Sequence, residues 1–215
     1  MSDQPLSAVL LIGMPGVGKG TQGKLIGKAR GFFHLSTGEI LRSLTTDTSE
    51  NQFVADCLRR GQFIPDELMI EIWQRWLAKQ IQGKSFLPAE QLLLLDGIPR
   101  NQHQCQMLDD HIRVVQVIHL ACPSDDLVVH RLKLRALLEG RADDSDEAII
   151  RQRLEVYRHE TAPVLSFYPP AVVHQIDPLG SPAEVLQRIM ECLTPIMNQL
   201  RQLKANTNSL AHSPL

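Results

Sequence analysis

The chain has 215 residues, which on a rough allowance of 100 to 200 residues per domain makes one domain with room for small insertions. Hydrophobic residues make up 43% and charged residues 21%, which excludes a chain too polar to fold. Lys plus Arg number 22 against 24 Asp plus Glu, a formal charge of -2, so no overall basic field invites nucleic acid.

Taken from the N-terminus, the opening MSDQPLSAVLLIG lacks the charged leader and long apolar stretch of a signal peptide. Ala8 to Ile12 form a short unbroken apolar run that stops at Gly13, the pattern of a buried parallel strand. A helical period follows from Lys19 to Ala29, and a longer one from Pro65 to Gln82. The latter sets Leu68, Ile72, Trp73, Trp76, Leu77 and Ile81 on one face; for both tryptophans core packing outweighs base stacking. Leu92 to Leu95 and Val114 to Leu120 read as further strands, and Pro123 to Leu138 and Asp143 to His159 as helices. Val172 to Ile176 reads as a last strand and Pro182 to Leu203 as a last helix. Strands alternating with helices predict a parallel sheet covered by helices on both faces. The polar, aperiodic stretch from Ala205 to Leu215 is expected to be a disordered tail.

The four cysteines, Cys57, Cys105, Cys122 and Cys192, form no C-x-x-C pair, which argues against a zinc ribbon or a disulfide scaffold. They are read as small core residues in a reducing cytosol. No stretch approaches the roughly 20 apolar residues of a membrane helix.

After the first strand comes Gly13-Met14-Pro15-Gly16-Val17-Gly18-Lys19-Gly20-Thr21-Gln22, then a helical pattern. A strand, glycines whose N–H groups can close round an anion, and a helix N-terminus are the parts of a phosphate-binding loop. Lys19 is placed to reach the β and γ phosphates of a nucleoside triphosphate. The hydroxyl usual directly after the lysine is displaced here by one residue, to Thr21. A helix cap is the bland alternative, and the strand before and helix after argue against it. No N-K-x-D stretch is present to read guanine.

Four motifs follow in order: Ser36-Thr37-Gly38-Glu39-Ile40-Leu41-Arg42, Gly61-Gln62-Phe63-Ile64-Pro65-Asp66-Glu67, Leu95-Asp96-Gly97-Ile98-Pro99-Arg100-Asn101-Gln102-His103-Gln104, and Arg131 through Arg135, Gly140-Arg141-Ala142-Asp143-Asp144 and Arg153-Leu154-Glu155-Val156-Tyr157. With these the sequence closely resembles the adenylate kinase family from Leu10 to about Leu193. The loop G-x-P-G-x-G-K-G-T-Q is specific to that group and accounts for the displaced Thr21.

The resemblance implies an α/β fold of the P-loop NTPase type across residues 1–204, with a small helical insertion for the nucleoside monophosphate at 37–65. It also implies a short lid at 132–142. It implies reversible phosphoryl transfer from Mg-ATP to AMP, giving two ADP. By resemblance, Gly16, Gly18, Lys19, Gly20, Thr21 and Arg131 bind ATP; Thr37, Arg42, Ile64, Gly97, Arg100 and Gln104 bind AMP. Lys19, Arg100, Arg135, Arg141 and Arg153 serve the transfer, and Asp96 orients Mg²⁺ through water. Asp143 and Asp144 steady the lid arginines or cap the helix that follows. A cysteine-free lid implies no structural zinc. Of the 22 cations, 15 are Arg, whose planar fork suits phosphate, and the resemblance gathers six positive groups at one phosphate site.

The Thr37 and Gln104 pair implies AMP over UMP or CMP, whose kinases usually carry Ala and Asn there. Asn101-Gln102, in contrast, resembles the pyrimidine enzymes. Two departures stand out. Arg153 lies twelve residues after Arg141, one more than usual in the family, so either a bulge near Ile149-Ile150 absorbs a residue or Gln152 takes the arginine's place. The continuing Arg-Leu-x-x-Tyr register favours Arg153. Asp177-Pro178 stands where many relatives carry Asp-Gly near the adenine. The expectation is a cytoplasmic, monomeric enzyme with small-molecule substrates only, neither nucleic acid nor membrane. The rivals are a UMP/CMP kinase and a nucleotide sensor without catalysis.

Overall fold

The computed structural model describes residues 4–141 and 144–211. Five strands, β1 (Leu6–Gly13), β2 (Phe32–Ser36), β3 (Leu92–Asp96), β4 (Ile112–Leu120) and β5 (Val173–Ile176), form one parallel sheet in the order β2-β3-β1-β4-β5. The sequence pattern gave four of these. Phe32–Ser36 escaped it because FFHLS is short and half polar, and it becomes a strand by pairing in register along β3, from Phe32↔Leu92 to Ser36↔Asp96.

The alternation of β1 explains the layers. Leu6, Ala8, Leu10 and Ile12 point into one apolar cluster, Val9 and Leu11 into the other. The first cluster is closed by α2 (Thr37–Ser43), α3 (Ser49–Arg59), α4 (Asp66–Gln82), α5 (Gln102–Asp109), α6 (Asp125–Glu139) and α7 (Glu147–Val156). The second lies under α1 (Lys19–Gly27) and α8 (Pro182–Ala211). A strand apolar on both sides has no solvent face, which is why the sheet must be sandwiched.

Trp73 is fully buried in α4, and Trp76 packs beside Phe33 at a ring separation of 6.1 Å, so both tryptophans serve the core. Cys57 and Cys105 are buried, Cys122 and Cys192 half-buried, and all four are free thiols. Among the described residues no helix is long and apolar enough to cross a membrane.

Three boundaries differ from expectation. α8 continues to Ala211, across most of the segment read as a structureless tail; residues 212–215 lie outside the described residues. The lid was expected as a loop, yet Leu132 to Glu139 continue α6, which ends at Gly140 with φ 65°. The following helix begins at Glu147 rather than Asp143, because Asp146 caps it by accepting from the Ala148 N–H at 2.8 Å. Asp143 lies outside the described residues.

Candidate active site

β1 sits between β3 and β4, so the crossovers from its two neighbours diverge and leave a cleft at the carboxyl ends of the strands, where open sheets of this kind bind ligands. The cleft has a volume of about 590 Å³, within the range of small-molecule sites. Its walls come from the loop after β1, the end of β3, the 37–65 segment and the lid side of α6 and α7.

The loop is shaped by its glycines. Gly16 has φ 78°, and a Cβ there would lie 2.6 Å from Leu132 Cγ. Gly18, at φ 110°, begins α1 in a left-handed conformation that L side chains avoid. Lys19 folds back under the loop, its Nζ donating to Gly13 O at 2.7 Å and Met14 O at 3.0 Å. Burial lowers its pKa to about 8; Asp96 opposes that shift, while Arg100, Arg135 and Arg153 add to it. A polyanion in the cleft would oppose that shift.

Asp96 ends β3, 7% exposed, and lines the cleft. A Cβ on Gly20 would approach its Oδ2 to 3.7 Å, so the carboxylate faces the start of α1. His34 Nε2 stands 4.0 Å behind it. Arg100 follows four residues later, in the irregular segment before α5. Its Nε donates to Gly97 O at 2.8 Å, its backbone O accepts from Thr161 Oγ1 at 2.8 Å, and its guanidinium lies 5.3 Å over the Phe63 ring. Burial lowers its pKa to about 10, with Arg153 and Arg42 adding to the shift against Asp96.

The lid side is organised around Asp144, whose side chain is fully buried. Its Oδ2 accepts from Arg135 Nε at 2.6 Å and its Oδ1 from Arg153 Nη1 at 2.7 Å. Burial pushes against ionisation, but these two guanidiniums hold the acid below the usual carboxylate range. Arg141 donates to Glu139 at 2.6 Å. Arg153 lines the cleft and Gln152 is exposed away from it. No bulge interrupts α7 before Arg153; the irregularity comes afterwards, as a π-helical turn at Tyr157–Thr161. Tyr157 hydrogen-bonds His119 Nε2 at 3.1 Å, and burial pushes its phenol up to about 12.

Of the residues singled out from sequence, Gly16, Gly18, Lys19, Gly20, Thr21, Arg42, Asp96, Gly97, Arg100, Arg131, Arg135, Arg141 and Arg153 all line this cleft. Thr37, Ile64 and Gln104 stand behind its wall, at 0%, 7% and 2% exposure. Thr37 Oγ1 donates to Asp96 O at 3.3 Å, and Gln104 Oε1 accepts from the Arg100 N–H at 2.8 Å. Asn101, which hinted at a pyrimidine acceptor, is the N-cap of α5, its Oδ1 accepting from Gln104 N at 2.7 Å. At Asp177-Pro178 the ring of Pro178 reaches the cleft, while the carbonyls of Asp177 and Leu179 are taken by Arg188.

Sequence reasoning missed the Lys24–Glu39 pair across the cleft mouth (2.8 Å), Phe63 beneath Arg100, and Thr161. No local signal marks Thr161, because its partner is 61 residues away.

Comparison with known proteins adds an independent line. The adenylate kinase family pattern matches residues 11–172. An adenylate kinase of Thermus thermophilus is 37% identical over 193 residues, covering 86% of this chain and 96% of the relative. One from Parasynechococcus marenigrum is 36% identical over 194 residues (87% and 99%), and one from Porphyromonas gingivalis 31% over 202 (91% and 97%).

Proposed function

The chain belongs to the adenylate kinase family, and from that premise we propose that its cleft aligns Mg-ATP with AMP and passes one phosphoryl group directly between them, giving two ADP. The protein is a nucleoside monophosphate kinase. The observation that carries the assignment of roles is the convergence of Lys19, Arg42, Arg100, Arg135, Arg141 and Arg153 on one cleft with Asp96 at its floor.

The acceptor is a phosphate oxygen already ionised near neutrality, so no side chain has to remove a proton. Catalysis then reduces to alignment and to neutralising charge on the transferring group. The N–H groups of the loop from Gly16 to Thr21 cradle the donor phosphates at the positive end of α1, with Lys19 on the β and γ groups. Arg131 covers the donor nucleoside, Arg42 and Arg100 hold the acceptor phosphate, and Arg135, Arg141 and Arg153 close over the moving phosphoryl. Asp96, a buried acid facing the phosphate loop, fits the magnesium of Mg-ATP and would hold it through water, where the ion would neutralise phosphate charge. Residues 37–65 act as the acceptor-binding insertion, with Thr37, Ile64 and Gln104 shaping its base pocket from behind. The lid is the end of α6 with the turn that follows. We assign the enzyme to the cytoplasm, a reading supported by four free thiols, and take it to act as a monomer.

A coupled assay with ATP and each of AMP, UMP, CMP and GMP tests the proposal. AMP is expected to be preferred; a preference for UMP or CMP overturns the acceptor, and no turnover with any of them overturns the kinase.

A further inference from the structure

Asp66 has no part in the scheme above, yet three side chains converge on it. It is the first residue of α4, directly after the 37–65 segment, and its side chain is 17% exposed. Its Oδ1 accepts from Gln104 Nε2 at 2.7 Å and from Asn101 Nδ2 at 3.1 Å. Its Oδ2 takes the same Asn101 amide at 3.0 Å and pairs with His103 Nδ1 at 3.0 Å. Three side chains from the start of α5 therefore end on one carboxylate.

An ionised carboxylate only accepts. The end of the Gln104 amide that faces it must be the NH₂, so the carbonyl oxygen is turned the other way, where it receives the Arg100 N–H at 2.8 Å. Reversing the amide would set oxygen against oxygen at one end and N–H against N–H at the other. The chain of bonds Asp66 to Gln104 to the Arg100 backbone has a single polarity. Burial works against ionisation of Asp66, but the bonds from His103, Gln104 and Asn101 hold its carboxyl below the usual range, so the acid is charged at neutral pH.

We propose that Asp66 is a positioning residue for the acceptor side, fixing the direction of the Gln104 amide and, through it, the main chain that presents Arg100 to the acceptor phosphate. The carboxylate acts without touching substrate. The inference rests on the acceptor role of Arg100 given above.

The test compares the full-length wild type with Asp66→Ala, Asp66→Asn, Gln104→Ala and the double variant Asp66→Ala/Gln104→Ala. Readouts are kcat, KM for acceptor, KM for ATP and Tm. The acceptor is whichever nucleoside monophosphate the wild type turns over, so a failure of AMP revises the acceptor's identity while the comparison still decides the role of Asp66. Loss of a charged hydrogen-bond partner is expected to lower kcat/KM for the acceptor about ten- to a hundredfold in Asp66→Ala, with KM for ATP within about twofold. Asp66→Asn, which keeps the volume and one acceptor oxygen, should lose less and serves if the alanine variant does not fold. Since both residues act in one chain, the double variant should be no worse than Gln104→Ala alone. A lowered Tm with unchanged acceptor constants, equal changes for ATP and acceptor, or losses that multiply in the double variant would each overturn the proposal.

Discussion

Lys19 and Arg100, on the floor of the cleft, donate to main-chain carbonyls, whereas Arg135, Arg141 and Arg153 on the lid side donate to carboxylates. The two groups carry the same charge into the same cleft in different states of compensation. On the floor, burial lowers Lys19 to about 8 and Arg100 to about 10; in the proposed function the counter-charge comes from the substrate phosphates. On the lid, Asp144 already supplies it to two arginines at once. A fixed floor can leave its cations under-compensated because the sheet holds them in place. In the proposed function the lid closes over substrate, and two of its guanidiniums are already oriented by Asp144.

The sharpest way to break this comparison is at Arg153. If it is an oriented lid arginine, Arg153→Ala should lower kcat by about 10³ to 10⁵-fold, the span for a transition-state arginine, while Gln152→Ala stays within about twofold. Equal effects would show that the helix register does not single out Arg153.

Lys19 sharpens the other half. Lys19→Met is expected to lower kcat by about 10² to 10³-fold while the substrate-free protein keeps or gains thermal stability, because a buried cation has been removed. The sign follows from linkage. With a folded pKa of about 8 against 10.5 for the unfolded chain, the unfolded state binds more protons between those values, so wild-type stability rises with pH across that window. The Tm advantage of Lys19→Met should be full below pH 8 and vanish toward pH 10.5, as calorimetry can check. A variant that unfolds instead would make Lys19 a structural residue.

The smallest expected effect is on binding. Phosphate needs the charged lysine, so ATP affinity of the wild type should weaken as pH rises above about 8, by at most about tenfold per pH unit for one proton. Lys19→Met should show no such slope in a titration, and a slope that persists would place the titrating group elsewhere.

The phosphate loop was readable because strand, glycines, lysine and helix are contiguous, and each local preference agrees with the next. The arginines of α6 and α7 were readable as a spacing, but which of residues 152 and 153 faces the cleft depends on where α7 begins. Thr37, Ile64 and Gln104 were singled out by resemblance as acceptor-side residues; that they stand behind the cleft wall depends on how α2 and α5 pack against β3. Asp66 was in plain view within a quoted motif and suggested nothing, since its partners stand 35 to 38 residues further along the chain. Sequence patterns report a residue's own segment; these roles are set by what another segment brings to it.

Arg153, Tyr157 and Thr161 follow one another at intervals of four on a continuous helical stretch, the last two inside the π-helical turn. One end of that rod belongs to the lid, and the other holds the Arg100 carbonyl at 2.8 Å. The span is about 12 Å at the usual rise per residue. A displacement of that stretch would reach both of its ends, so the proposed donor and acceptor sites are expected to be coupled. Whatever factor the donor contributes to acceptor affinity, the acceptor must return to the donor.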